Sequence, residues 1–363
     1  MESVGSNAFA ERLDEVRAVA KRRRLDLLIL RNEFNVLSLT GVRSDNGILV
    51  CGSSLQFYTD FRYTVMARRV APWLDTRDMW KAGEGEAGLR AAAALAGSKS
   101  PRRIGYEGSI SARQYLQLRK AFPRAKFVDF EREVHLARAV KTPSEIAKIE
   151  AAVALNDEIW SAARKAIRPG MTECAMQRII RGMMAERGEG EAFETIVCAG
   201  ANAAECHHVP DGTVWRAGEP LLVDMGVRLD GVCSDMTRCI GPKGRYLLRA
   251  EYEKVYATVL EANMAAIAAA KPGMTGRELD AVARKIIRKA GYGKAFGHSL
   301  GHGVGFEIHE APAAAQTSDI VLKPGMTVTI EPGIYLPGKL GVRIEDLVLI
   351  TEKGCRVLST SAK

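Results

Sequence analysis

The stretch GHSLGHGVGFEIHE, residues 297–310, carries His298, His302 and His309, three of the six histidines in a chain of 363 residues. Its glycines at 297, 301, 303 and 305 argue against a helix, because each costs about 1 kcal/mol relative to alanine in a helix interior. The imidazoles are therefore expected on an extended, closely packed backbone, not on the helical two-histidine zinc motif. Three histidines this close together, with His207 and His208 upstream, point to a site rather than to core packing.

Two acid-bearing segments lie on either side. LLVDMGVRLDGVCSDMTRCI (221–240) reads as a β-hairpin turning at Arg228-Leu229-Asp230-Gly231, with Asp-Gly the strongest part of the turn signal. If those four residues form the loop, Asp224 stands opposite Asp235. TIEPGIYLPGKLGVRIEDLVLI (329–350) turns at Pro337-Gly338-Lys339, and the same count sets Glu331 opposite Glu345. Cross-strand partners have Cβ atoms about 5 Å apart, so these are two close carboxylate pairs among apolar strand residues. Buried unpaired carboxylates cost several kcal/mol and like charges repel. Arg238 and Arg343 could offset part of that charge, but two arginines leave a deficit against four acids. A pair of divalent cations on oxygen-rich ligands removes it. Adding His302 gives two Asp, two Glu and one His, a set suited to Mn²⁺, Co²⁺ or Zn²⁺. Two such ions about 3.5–4 Å apart would hold a hydroxide between them, which implies metal-assisted hydrolysis. A Walker loop is absent, so P-loop nucleotide chemistry has no support.

The same region repeats itself. RPGMTECAMQRIIRGMMAERG (168–188) is echoed by KPGMTGRELDAVARKIIRKAG (271–291), each with Pro-Gly, a Thr N-cap and an amphipathic helix ending in Gly. RAGEPLLVDMG (216–226) aligns with KPGMTVTIEPG (323–333), matching Asp224 to Glu331. An internal duplication about a pseudo-twofold axis follows, with a site between the halves that takes acids from each. Upstream, Thr142-Pro143-Ser144-Glu145 is a helix start signal for a helix running to about residue 167. It places a domain boundary near residue 139, giving units 1–139 and 140–363. The first unit alternates a helix at 8–23, strands in LDLLIL, GILVCG, LQFYTD, RIGYEG and FVDF, and helices near 61–70, 85–96 and 111–121. That is the pattern of an α/β layer, and the second unit reads as α+β.

Composition bounds the partners. The net charge of +9 is dispersed except for Lys21 to Arg24 at the end of a predicted helix, where basic residues complement the helix dipole, so no nucleic-acid partner is expected. Seven cysteines without a CxxC pair read as reduced thiols in the cytoplasm. No apolar run reaches the roughly 20 residues of a membrane span, and the polar N-terminus is unlike a signal peptide.

Taken in order, TIVCAGANAAECHH, LLVDMG, CSDMTR, FGHSLGHGVGFEIHE, TIEPGIY and GVRIED resemble the motifs of the pita-bread metallopeptidases, in the aminopeptidase P and proline dipeptidase (prolidase) branch. The N-terminal NVLSLTG, GILV and FYTDFRYTVMA are similar to the smaller, creatinase-like domain of that branch. The resemblance implies an α/β creatinase-like domain followed by an α+β pita-bread catalytic domain. It implies that Asp224, Asp235, His302, Glu331 and Glu345 bind two divalent metal ions, Mn²⁺ ahead of Co²⁺ or Zn²⁺, with Asp235 and Glu345 bridging. It further implies that Glu331 shuttles a proton, His207 contacts substrate and His309 stabilises the tetrahedral intermediate. His298 would line a pocket for the proline ring, and Arg343, on the substrate-binding side, would fix a nearby carboxylate. The expected partners are peptides with proline second, and the expected assembly is a homodimer. A bond to proline is a tertiary amide with no N–H, which calls for a shaped pocket in place of amide hydrogen bonds. The five intact ligands set the chain apart from creatinase-like members, which have lost theirs.

Two departures from the family pattern stand out. Cys206 and His208 flank His207, where many members carry Pro and a small residue, and His208 is expected to be exposed. Between His309 and Lys323 the chain reads EAPAAAQTSDIVL, with no basic residue, whereas relatives often carry an Arg near the position of Ala313 that can grip a dipeptide's carboxylate. That difference favours an Xaa-Pro aminopeptidase over an Xaa-Pro dipeptidase; a family hydrolase acting on a non-peptide substrate is a further alternative.

Overall fold

The computed structural model describes residues 4–79 and 85–363, and the chain forms two compact units, Met1–Arg138 and Ala139–Lys363. In the first, helix α1 (Val4–Arg22) buries Leu13 and Val16. Strand β1 (Leu27–Leu30) follows and is wholly buried. Helix α2 (Glu33–Thr40) comes next, N-capped by Asn32 and closed by Gly41 at φ 74°. Then come β2 (Ile48–Cys51), β3 (Leu55–Thr59), α3 (Phe61–Val70), β4 (Asp75–Asp78) and α4 (Gly85–Leu95). The unit ends with β5 (Arg103–Tyr106), α5 (Ala112–Ala121), β6 (Lys126–Asp129) and α6 (Glu131–Ala139). One six-stranded sheet runs in the order β4-β3-β2-β1-β5-β6. It is mixed, with β1 antiparallel to β2 but parallel to β5. The sequence pattern misses α2, α6 and β4. The β4 sequence DTRD has no apolar alternation because it lies at the sheet edge, where charged side chains are tolerated.

The second unit is built twice over. Helix α7 (Pro143–Ala166) starts with a capping box of Thr142 and Glu145 and has Pro143 in its first turn. Helix α8 (Glu173–Arg187) is N-capped by Thr172. In the second half, α9 (Arg249–Ala269) corresponds to α7, and α10 (Gly276–Lys289), N-capped by Thr275, corresponds to α8. The first half's sheet is β7 (Ile196–Ala199), β8 (Leu221–Met225) and β11 (Met236–Ile240), in the order β11-β8-β7. Between β8 and β11 lie the short β9 (Arg228–Leu229) and β10 (Val232–Cys233). Strands β12 (Gly301–Gly303) and β13 (Glu310–Ala314) pair with each other. The second half's sheet comprises β14 (Thr327–Ile330), β17 (Asp346–Ile350) and β18 (Cys355–Val357), with β15 (Gly333–Leu336) and β16 (Leu340–Arg343) extending the hairpin.

A buried asparagine ties each long helix to its hairpin. Asn156 Nδ2 donates to the Met225 carbonyl at 3.1 Å, and Asn263 Nδ2 donates to the Ile330 carbonyl at 2.9 Å. Two-residue alternation then sorts the strands. Leu221, Val223 and Met225 pack into a core with Ile159, Trp160 and Ala163 of α7. Val328, Ile330, Val348 and Ile350 pack with Val255, Val259 and Ala262 of α9. The intervening positions, including Asp224 and Glu331, face away from the helices.

The hairpin registers differ in one respect from the sequence count. Gly333 pairs with Arg343 and Ile330 with Asp346, so Glu331 lies across from Glu345 as expected. Asp224, however, pairs with Thr237, not Asp235. The turn is the two-residue Asp230-Gly231, both with positive φ, and Leu229 pairs directly with Val232. That is the geometry an Asp-Gly hairpin demands, and it makes Asp235 the diagonal neighbour of Asp224 on the same face.

Candidate metal centre

The glycine-rich stretch places His302 in β12, where glycine is required on both sides of it. A Cβ on Gly301 would lie 1.9 Å from the Thr329 carbonyl oxygen, and one on Gly303 would lie 2.2 Å from that of Ala311. Only glycine lets these backbones approach so closely. Thr329 Oγ1 accepts the His302 amide at 3.0 Å and donates to Glu331 Oε1 at 3.1 Å, tying the histidine to the acid of the neighbouring strand.

The four acids and His302 converge from both halves. His302 Nε2 lies 3.3 Å from Glu331 Oε1 and 3.5 Å from Asp235 Oδ2. Asp235, His302 and Glu345 each offer a ligand atom, all within 4.8 Å of one another. Thr237 Oγ1 donates to Glu345 Oε2 at 2.7 Å. Arg343 Nη2 donates to Asp224 Oδ2 at 2.6 Å, Nε to Thr237 Oγ1 at 3.0 Å, and Nη1 to the Tyr335 hydroxyl at 2.9 Å and the Cys206 carbonyl at 3.2 Å. Arg343 thus fixes a carboxylate of the protein. Four of its five N–H donors are engaged there, and Arg343 also lines the cavity. Arg238, the other candidate counter-charge, pairs with Asp346 at 2.8 Å and so serves the hairpin behind the site.

The donor set fits a cation. Burial pushes the carboxyls of Asp235 and Glu345 well above the usual carboxylate range, with repulsion from neighbouring acids adding to it. Burial also raises Asp224, against the pull of Arg343. Glu331 moves the other way: burial opposes ionisation, but the hydrogen bond and charge of His302 and the nearby His298 and Arg343 outweigh it. Asp224 Oδ1 is buried with no hydrogen-bond partner, a costly state unless something positive meets it. His302 Nδ1 faces the Gly303 carbonyl at 3.1 Å, and a carbonyl can only accept. The proton therefore sits on Nδ1, and Nε2 is directed at two carboxylate oxygens. A second proton or a cation must lie between them, and an ion on Nε2 with Nδ1–H held by a carbonyl is the usual arrangement of a metal-bound histidine.

Around this centre lies a cavity of about 370 Å³, lined among others by Phe193, Ile196, His207, His298, Ile308 and His309; this is the size range of small-ligand sites. His298 Nδ1 donates to the Ser299 carbonyl at 2.7 Å, and its Nε2 accepts from the Tyr335 hydroxyl at 2.9 Å. Burial, the larger cause, and the Arg343 charge keep His298 below the usual histidine value. His309 packs edge-on to His302 with centroids 4.3 Å apart. Burial and then the His302 charge lower it as well.

The structure reverses one expectation beside His207. His207 is exposed on the cavity wall, but His208 is only 9% exposed, with Nε2 2.8 Å from the fully buried Glu173. Nothing within the 199–211 segment signals this, because the partner carboxylate lies 35 residues earlier. Thr237, Thr329 and Tyr335, which orient the acids and Arg343, were likewise not singled out from sequence. Strand parity with Asp235 and Glu331 was the available signal for the two threonines.

Comparison with known proteins gives the family. Residues 147–352 match metallopeptidase family M24, and residues 12–140 match the creatinase/prolidase N-terminal domain. The chain is 41% identical over 263 residues to the Xaa-Pro dipeptidase of Lactobacillus helveticus, covering 70% of this chain and 69% of that one. Among solved structures it superposes on an Xaa-Pro dipeptidase from Bacillus anthracis with a TM-score of 0.90 and 33% identity, covering 98% of each chain. An X-Pro aminopeptidase from Thermotoga maritima gives a TM-score of 0.83 at 33% identity, covering 95% and 98%. The chain belongs to metallopeptidase family M24, with a creatinase/prolidase N-terminal domain ahead of its pita-bread catalytic domain.

Proposed function

We propose that this metallopeptidase is an Xaa-Pro dipeptidase that binds two divalent metal ions, Mn²⁺ first among them, through Asp224, Asp235, His302, Glu331 and Glu345. The observation that carries the reading is the convergence of those five side chains beside three cavity-lining imidazoles, in a chain 41% identical to a named Xaa-Pro dipeptidase. Bound there, such ions polarise a peptide carbonyl and lower the pKa of water. The protein's own groups do the rest. Glu331, held ionised, takes a proton from the attacking water and delivers it to the proline nitrogen as the C–N bond breaks. His309 donates to the carbonyl oxygen as it gains charge. Arg343 keeps Asp224 in place. We assign the carboxyl end of the dipeptide to His207, which is exposed and lines the cavity beside the proposed ligands. Replacing Asp235 or Glu345 by Ala is expected to abolish Ala-Pro hydrolysis and to lower metal content by elemental analysis. Full activity in either variant would sink the assignment.

The second reading is an Xaa-Pro aminopeptidase acting on longer peptides. It is favoured by the absence of a basic residue between His309 and Lys323. The relatives named Xaa-Pro dipeptidase weigh against it. In either case we expect a homodimer, to be tested by sedimentation, and a cytoplasmic enzyme. Among the described residues no helix is long and apolar enough to cross a membrane.

A further inference from the structure

Glu173, the first residue of α8, is fully buried, yet it takes no part in the metal centre. Four donors converge on it. Oε1 accepts the Ala199 amide at 2.7 Å and Asn202 Nδ2 at 3.0 Å; Oε2 faces His208 Nε2 at 2.8 Å and accepts the Asp211 amide at 3.2 Å. The donors come from the start, middle and end of one segment, residues 199–211, and that segment carries His207. Its far end is stitched to the same helix start by the Cys174 amide donating to the Asp211 carbonyl at 3.1 Å and the Glu173 amide to the Thr213 carbonyl at 3.0 Å. With two donors on each oxygen, Glu173 has no free lone pair for a metal, although Glu173, His208 and Asp211 lie close enough together to suggest one.

Burial alternates along the segment. Glu205, His207 and Val209 are exposed, whereas His208 and Pro210 are buried. His208 is the one side chain between Asn202 and Asp211 that reaches Glu173, so it anchors the stretch from which His207 enters the cavity. Its Nδ1 faces Glu205 Oε2 at 3.5 Å, and Asn202 Nδ2 lies 3.2 Å from Nε2. Burial lowers the His208 pKa, but the hydrogen bond and charge of Glu173, with Glu205 and Asp211, raise it overall.

We propose that His208 is a positioning residue for His207: by closing the middle of the 199–211 segment onto Glu173, it fixes where the His207 imidazole meets the carboxyl end of the substrate. The inference rests on the role given to His207 above, and it deepens that role. Loss of the anchor should weaken substrate binding more than metal binding, because no proposed ligand lies on the segment and its one link to them runs from the Cys206 carbonyl through Arg343 to Asp224. The signature is a rise in KM with little change in kcat.

The test is a double-mutant cycle on Ala-Pro with Mn²⁺-loaded protein, using His207→Ala, His208→Leu and the pair, with His208→Gln as the conservative variant. Leucine fills the space without donating, which guards against collapse, and glutamine restores an N–H. His208→Leu should raise KM on the order of tenfold, His208→Gln should recover most of it, and His208→Leu should add nothing in the His207→Ala background. Independent multiplication of the two effects would overturn the proposal. So would a His207→Ala variant with unchanged KM, which removes the role of His207 but leaves metal-dependent hydrolysis standing. A readout free of turnover accompanies it. The His207 ring resonance of metal-free protein, assigned by its loss in His207→Ala, should shift in His208→Leu and return in His208→Gln. If it is unmoved, the proposal fails even if the protein cleaves no proline peptide.

Discussion

At the scale of single residues, Arg343 shows how little of a site's support can be read from spacing. Its guanidinium is buried and joins Asp224, Thr237, Tyr335 and the Cys206 carbonyl, four partners drawn from three separate stretches of chain. The four acids and the histidine that converge here stand out in the sequence because metal chemistry restricts residue type. Which carboxylate Arg343 fixes does not, because an arginine is consistent with substrate or protein carboxylates alike. Replacing Arg343 by Met should destabilise the metal-free protein by about 3–5 kcal/mol, the usual cost of leaving a buried charge without its partner. Urea unfolding checks this, and a change under about 1 kcal/mol would mean water or another group takes over. His309→Ala should spare metal content while lowering kcat by roughly 10²–10³-fold, the loss expected for one oxyanion donor. Loss of metal from that variant would instead make His309 a ligand.

Elements carry the next layer. The repeated Pro-Gly-Met-Thr starts, the Asp-Gly turn and the glycine spacing of 297–305 announced the paired helices, the hairpin and the extended β12. The first hairpin's register differs by two residues from that of a four-residue loop, because Asp230 and Gly231 alone turn the chain. The apolar period of α2 is blurred because this eight-residue helix buries Asn35, Ser38 and Thr40 beside Val36 and Leu39, and that of α6 because it is nine residues long and buries Arg138. Gly301→Ala tests the close approach of β12 to β14. Its methyl meets backbone, not a movable side chain, so the strands must part, with a stability loss of about 1–3 kcal/mol and weaker metal binding by His302. The anchor on α8 has its own pH signature. His208 has a folded-state pKa raised above its unfolded value, so its contribution to stability is complete below the unfolded value and is lost as pH rises through the folded one. The gap in melting temperature between the protein and its His208→Gln variant should therefore narrow on the alkaline side. A gap that widens there would contradict the pairing with Glu173.

For the whole molecule, the acids that suit a metal are a liability without one. Asp235 and Glu345 are raised well above the carboxylate range by burial, so the folded state holds protons that the unfolded chain has released. Their effect on the metal-free protein is therefore to lower stability as pH rises from the ordinary carboxylate value towards the folded one. Compared with Glu345→Gln, chelated protein should lose more stability over that window, and added Mn²⁺ should restore most at the high-pH end. Melting curves with and without chelator decide this. The architecture and its duplication are legible in the chain. The choice between dipeptide and longer peptide is not, because it turns on one cation meeting one carboxylate, and the missing base in 310–322 points towards longer peptides whereas the relatives named Xaa-Pro dipeptidase point towards dipeptides. The central claim is tested most directly by hydrolysis of Ala-Pro and Ala-Pro-Ala by one preparation, stripped of metal and then reloaded with Mn²⁺. An Xaa-Pro dipeptidase cleaves Ala-Pro with a kcat/KM well above that for the tripeptide, and only when metal is restored. Cleavage of Ala-Pro-Ala with Ala-Pro spared, or turnover indifferent to metal, would contradict it.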